Sequence, residues 1–88
     1  MNWHVELATS ATKDLKRLPR DRQARVERAI DEMEADPLAG DVKPLKGSEW
    51  KGYYRKRVGS YRIIFMINTQ TMTVEISAII IRSEKTYR

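Results

Sequence analysis

An α+β domain, with a helical hairpin packed on one face of an antiparallel sheet, is the fold class this 88-residue sequence predicts. Apolar residues recur at helical spacing over residues 11–33 and at strand spacing after residue 53. Short turn signals divide the second half into runs close enough for hairpins. Between the halves lies a connector punctuated by Gly and Pro, with no periodicity of its own. The order β-α-α-β-β-β follows, as one domain over residues 1–88.

Trp3, Val5 and Leu7 alternate with His4 and Glu6, the pattern of a half-buried opening strand. Thr9 or Ser10 is placed to cap a helix with Ala11, Leu15 and Leu18 on one face. Pro19 ends that helix or starts the next, because its ring cannot sit in a helix interior. From Asp21 a second helix turns Val26, Ala29, Ile30 and Met33 inward, and Asp36-Pro37 stops it. The charges between those positions (Arg22, Arg25, Glu27, Arg28, Asp31, Glu32, Glu34) read as the solvated face of an amphipathic helix. Residues 37–52 read as the connector, carrying Gly40, Pro44, Gly47 and Gly52. Three strands follow at about 53–58, 61–68 and 72–81, the last two joined by a polar turn around Thr69-Gln70. Tyr61, Ile63, Phe65 and Ile67 form the apolar stripe that seats the helices. In the last strand Met72, Val74, Ile76 and Ala78 alternate with Thr73, Glu75 and Ser77.

Composition narrows the function classes. The chain has no Cys, so disulfides and thiolate metal sites are excluded and a reducing compartment is compatible. The first residues lack a basic and apolar leader pattern. The longest apolar runs, residues 63–67 and 78–81, are too short to cross a bilayer, so a cytoplasmic protein with no membrane partner is expected. His4 is the only histidine, and no carboxylate cluster stands at ligand spacing, so neither metal nor cofactor is expected. Nucleophilic triads and phosphate-cradling Gly motifs are missing as well. The net charge of +5 is uneven: residues 1–36 hold seven Lys/Arg against eight Asp/Glu, and residues 37–88 hold ten against four. That asymmetry points to a polyanionic partner for the second half.

The most informative stretch lies around Gly59-Ser60, a two-residue hairpin connection. It pairs Val58 with Tyr61, Arg57 with Arg62, Lys56 with Ile63 and Arg55 with Ile64. Faces alternate with period two, so Arg55, Arg57 and Arg62 share one side. Directly opposed like charges cost a sheet some fraction of ~1 kcal/mol. An anion accepting forked hydrogen bonds offsets that repulsion, and phosphate is the usual one. The competing reading is a solvated basic face with splayed arginines.

Tyr54-Arg55-Lys56-Arg57-Val58-Gly59-Ser60-Tyr61-Arg62-Ile63-Ile64-Phe65 resembles the central motif of the RelE/ParE superfamily, the toxins of bacterial and archaeal toxin–antitoxin modules. Residues 11–19, Asp36-Pro37 followed by Pro44-Leu45-Lys46-Gly47, and the closing pair Arg82 and Tyr87 resemble further pieces of the family pattern, in the same order. The resemblance implies a toxin with an antitoxin partner, acting on the ribosome and mRNA as a metal-independent RNA endonuclease. The alternative is a ParE-type inhibitor of DNA gyrase, or an inert nucleic-acid-binding member.

By the same resemblance, Arg55, Arg57, Arg62, Arg82 and Tyr87 are the catalytic set, with Arg62 on the scissile phosphate and Tyr87 stacking or orienting. Lys43, Lys46, Lys51, Lys56, Lys85 and Arg88 complete the RNA-binding cations. Arg55 and Arg57 stand where RelE-type members often carry lysines, and arginine is a poor base because its pKa exceeds ~12. Lys46, Lys51 and Lys56 remain as candidates for the proton acceptor. Some relatives carry a His before the closing Arg; that position here is Ile81.

Overall fold

Residues 2–81 are described by the computed structural model. The alternation near the start becomes β1 (His4–Leu7), followed by α1 (Thr9–Lys16) and α2 (Arg20–Glu32). Pro19 separates the helices in an extended conformation, serving as the N-cap position of α2 without donating a capping side chain. Ala11 and Leu15 of α1, with Val26, Ala29 and Ile30 of α2 and Met33 just beyond it, are buried, as their spacing predicts.

The expected connector holds two elements too short for periodicity to reveal. Val42–Pro44 forms β2, antiparallel to β3 (Tyr53–Val58), and Pro44 ends the short run. A single 3-10 turn over Ser48–Trp50 then leads into β3. β4 (Tyr61–Asn68) and β5 (Thr73–Ile81) complete a five-stranded sheet in the order β1-β5-β4-β3-β2. Neighbours are antiparallel except β1, which runs parallel to β5, so the sheet is mixed rather than purely antiparallel. No hairpin joins β1 to β5, so no turn geometry dictates their relative direction.

The β3–β4 register is the one the turn predicts, including Arg57 opposite Arg62 and Val58 opposite Tyr61. Gly59 has φ of +58°, a left-handed conformation that glycine adopts without Cβ strain. In β5 the expected alternation breaks. Ile64 pairs with Ala78 but Phe65 pairs with Ile76, leaving Ser77 as the extra residue of a bulge. The inward position passes from Ala78 to Ile79, which is 4% exposed.

α1 is fastened beside that bulge. Ser10 Oγ donates to the Ser77 carbonyl at 2.8 Å, and the Ile79 N–H donates to Asp14 Oδ2 at 3.0 Å. Ser10 therefore serves the sheet; the α1 N-cap position is Ala8, which makes no side-chain cap. Both helices pack on one face, α1 chiefly over β5 and α2 over β3. Phe65 is fully buried in the resulting core and stacks on Tyr54 with ring centroids 5.7 Å apart. Phe65→Ala is expected to destabilise the fold by about 3–5 kcal/mol, the range for deleting a buried aromatic ring. A urea melt following Trp fluorescence measures it as a lowered midpoint at unchanged slope.

Candidate functional site

Parity along β3 decides which cations meet. Tyr54 and Val58 pack toward the helices, so Lys56 shares their side and Arg55 and Arg57 point the opposite way. On β4 the inward Tyr61, Ile63 and Phe65 leave Arg62 on the same outer face as Arg57, its direct cross-strand partner. Lys43 of β2 lies opposite Arg55 in register and is exposed. Three strands thus bring Lys43, Arg55, Arg57 and Arg62 together on the face turned away from the helix pair.

One carboxylate organises this face. Arg55 is 8% exposed, and its Nη1 donates to both the carbonyl of Asp41, at 3.2 Å, and to Asp41 Oδ1, at 3.1 Å. The Arg57 backbone N–H donates to the same carbonyl at 3.0 Å, while Arg57 Nε stands 3.8 Å from Asp41 Oδ2. The Arg55 hydrogen bond holds the Asp41 carboxyl below its usual range. Partial desolvation opposes that shift, and the positive charges of Arg55, Arg57 and Lys43 add to it. With three cations around one anion, the cluster keeps a positive surplus beside Arg62. Guanidinium groups at this spacing can grip phosphate oxygens in a forked manner but cannot take up a proton.

The expected site residues separate into groups. Arg57 and Arg62 are half-buried on the outer face, one ladder step from the Gly59-Ser60 turn, and Arg55 is anchored through Asp41. Lys46 and Lys51 are exposed on the segment that leads into β3. Lys56 does not join the outer face. It is 6% exposed on the helix side, and its Nζ donates to the Ala39 carbonyl at 2.9 Å, fastening the connector. Arg82, Lys85, Tyr87 and Arg88 lie outside the described residues. Tyr61 is core, at 4% exposure. Trp50 is exposed and meets Tyr53 edge-on, with centroids 5.5 Å apart. Asp41 is the residue sequence reasoning missed. The available signal was its being the only acid between Pro37 and Ser48, in a stretch facing a basic strand.

The chain as a whole is similar to known proteins. A family model described as the ParE toxin of the type II toxin-antitoxin system, parDE, matches residues 5–86. Toxin RelE3 of Methanocaldococcus jannaschii is 36% identical over 72 residues, covering 77% of this chain and 80% of that protein. Among solved structures, the toxin–antitoxin complex RelBE2 of Mycobacterium tuberculosis contains a chain that superposes with a TM-score of 0.83 at 29% identity. That match covers 93% of this chain and 100% of the other. A chain of the archaeal RelE–RelB complex from Pyrococcus horikoshii OT3 superposes with a TM-score of 0.81 at 27% identity, covering 96% and 99%.

The Asp41–Arg55 contact has a pH signature. The folded carboxyl titrates below its unfolded value of ~3.9, so its contribution is complete above that value and is lost as pH falls through the folded pKa. Asp41→Asn is expected to lower the melting temperature at neutral pH, and the gap from the parent is expected to close under strong acid. Thermal melts of both proteins from neutral to strongly acidic pH check this; a gap independent of pH rules out the ionised pair as its source.

Proposed function

Because the chain belongs to the RelE/ParE family of type II toxin–antitoxin toxins, we propose that it is a RelE-type endoribonuclease that cleaves messenger RNA in the ribosomal A site. One observation carries this reading: the Arg57–Arg62 pair, opposed across the ladder on an outer face with a surplus of positive charge. Two opposed guanidinium groups suit the forked hydrogen bonds that phosphate oxygens accept.

In this mechanism the ribose 2′-hydroxyl attacks the adjacent phosphorus, the bond to the 5′-oxygen breaks, and the products carry a 2′,3′-cyclic phosphate and a 5′-hydroxyl. The proton leaves the 2′-oxygen for an acceptor, and another reaches the departing 5′-oxygen. Arg62 holds the scissile phosphate and Arg57 stabilises the charge that grows on its equatorial oxygens. Arg55 acts as a positioning residue, since its guanidinium is already committed to Asp41. Lys46 and Lys51 remain candidates for the proton acceptor because both are exposed beside β3, whereas Lys56 is tied to Ala39. Arg82 and Tyr87 complete the set by family resemblance, and orientation on the ribosome supplies much of the rate. The working compartment is then the cytoplasm, and the regulating partner is an antitoxin, as in the relatives that were solved as toxin–antitoxin complexes.

A second reading, inhibition of DNA gyrase by binding, is favoured by the ParE description of the matching family model. Arg62→Ala separates the two. Under the nuclease reading it lowers mRNA cleavage in a translating cell-free extract by roughly two to three orders of magnitude, the scale for removing one donor to developing charge. Primer extension reads the cleavage, and a thermal melt of the same preparation identifies any folding defect. Full cleavage by the variant removes Arg62 from the site; no cleavage by the parent, with gyrase supercoiling blocked, establishes the second reading. The native operon is also expected to yield the chain with a tightly bound antitoxin. Purification of a free, non-toxic chain from that operon contradicts the module.

A further inference from the structure

α2 carries a row of charge that the cleavage site does not use. Arg22, Arg25 and Arg28 follow one another at three-residue spacing, which makes them neighbours on the helix surface, and all three are exposed. With Asp21 and Ala24 they line a shallow cleft of about 270 Å³. Among the described residues none of the three makes an ion pair. Asp21 is the one acid among the described residues of the cleft and belongs to the first turn of α2, where the helix dipole favours negative charge. Glu27 is engaged by Gln23 at 3.2 Å, and Glu32, one turn past Arg28, makes no ion pair with it. Neighbouring like charges cost helix stability, so three adjacent arginines with no ion pair among the described residues favour a bound anion.

The ridge is seated against the hairpin tip. Arg25 Nη1 lies 3.2 Å from the position a Cβ on Gly59 would occupy. The Tyr61 side chain beside Arg22, and then the charge of Asp21, hold the Arg22 guanidinium above its ordinary pKa. The row therefore runs beside the same turn that carries Arg57 and Arg62, but on the helix side of the molecule.

We propose that the Arg22–Arg25–Arg28 ridge binds the phosphate backbone of double-helical RNA, docking the protein on folded RNA while the sheet face handles the single strand. This deepens the ribosome-dependent nuclease reading and rests on it. A duplex fits better than the alternatives. Single-strand binding needs rings for bases to stack on, and among the described residues the ring beside the ridge, Tyr61, is 4% exposed. An acidic peptide needs an apolar anchor, and among the described residues the cleft offers only Ala24. Duplex RNA is recognised by shape and phosphate contacts, which a row of cations rising about 4.5 Å per step can supply.

The test measures fluorescence anisotropy of the full chain with a labelled blunt RNA duplex, across a range of salt. The parent is expected to bind the duplex with a steep salt dependence. Arg22→Gln/Arg25→Gln/Arg28→Gln is expected to bind at least ~10-fold more weakly, with the slope reduced by about one per arginine removed. Arg22 contacts Tyr61, so Arg25→Gln/Arg28→Gln serves as a second variant whose slope falls by about two. Both are melted to confirm folding. An unchanged slope in a folded variant overturns the proposal, as does a parent that does not bind the duplex. If the variants instead lose poly-L-glutamate binding and keep the duplex, the ridge is a protein interface and the proposal fails. Duplex binding does not depend on cleavage, so a protein that cuts no mRNA yet loses the duplex with the ridge keeps this inference and discards the nuclease reading.

Discussion

The register of the β3–β4 hairpin is the constraint on which the rest of the structure depends. Side chains alternate with period two, so a slip of one residue between these strands moves every side chain to the other face. In the observed register Tyr61, Ile63 and Phe65 all enter the core, and Arg57 and Arg62 meet on the outside. The hydrophobic core and the cationic face are two readings of one pairing. The burial of Phe65 and Ile63 is what forces the arginines together, at an electrostatic cost smaller than the stripe's burial gain. Gly59 makes the turn possible, and the Arg25 guanidinium packed over it leaves little room for a larger residue.

Two local devices protect that arrangement. At one end of the sheet, Asp41 accepts from the Arg55 side chain and the Arg57 backbone at once, which pins the short edge strand β2 to β3. The same carboxylate eases the crowding of guanidinium charge. At the other end, the bulge at Ser77 lets both Ile76 and Ile79 face the helices, three residues apart on one strand. Ser10 and Asp14 bond the backbone beside the bulge, so α1 is held by polar contacts as well as packing. A helix attached in this way can serve as a rigid base for a site on the opposite face of the sheet.

The charge of the molecule is also divided by topology. Lys43, Arg57 and Arg62 look outward from the sheet, and Arg22, Arg25 and Arg28 look outward from α2, with the hairpin tip between the two sets. Net charge counted along the chain hides this second set, because the acids of residues 31–36 cancel it in any sum over the first half. A helix whose total charge is near balance can still carry a basic ridge along one side, and only the three-dimensional placement of its ion pairs reveals it.

Most of the fold, and the cross-strand pairing on the cationic face, were legible in the sequence. Helical spacing in the first half, the Gly59-Ser60 turn and the stripe from Tyr61 to Phe65 determined the two helices, the hairpin register and the meeting of Arg57 with Arg62, because these depend on contacts near in sequence. Tertiary structure decided what depends on distant contacts. It turned residues 42–44 into a strand, ran β1 parallel to β5 and inserted the bulge that replaces Ala78 with Ile79. It also sorted the cations. Lys56 and Arg55 are adjacent and equally basic, yet one fastens the connector and the other binds Asp41, fourteen residues away. Local pattern specifies which way a side chain points; which partner waits there is set by how the rest of the chain packs around it.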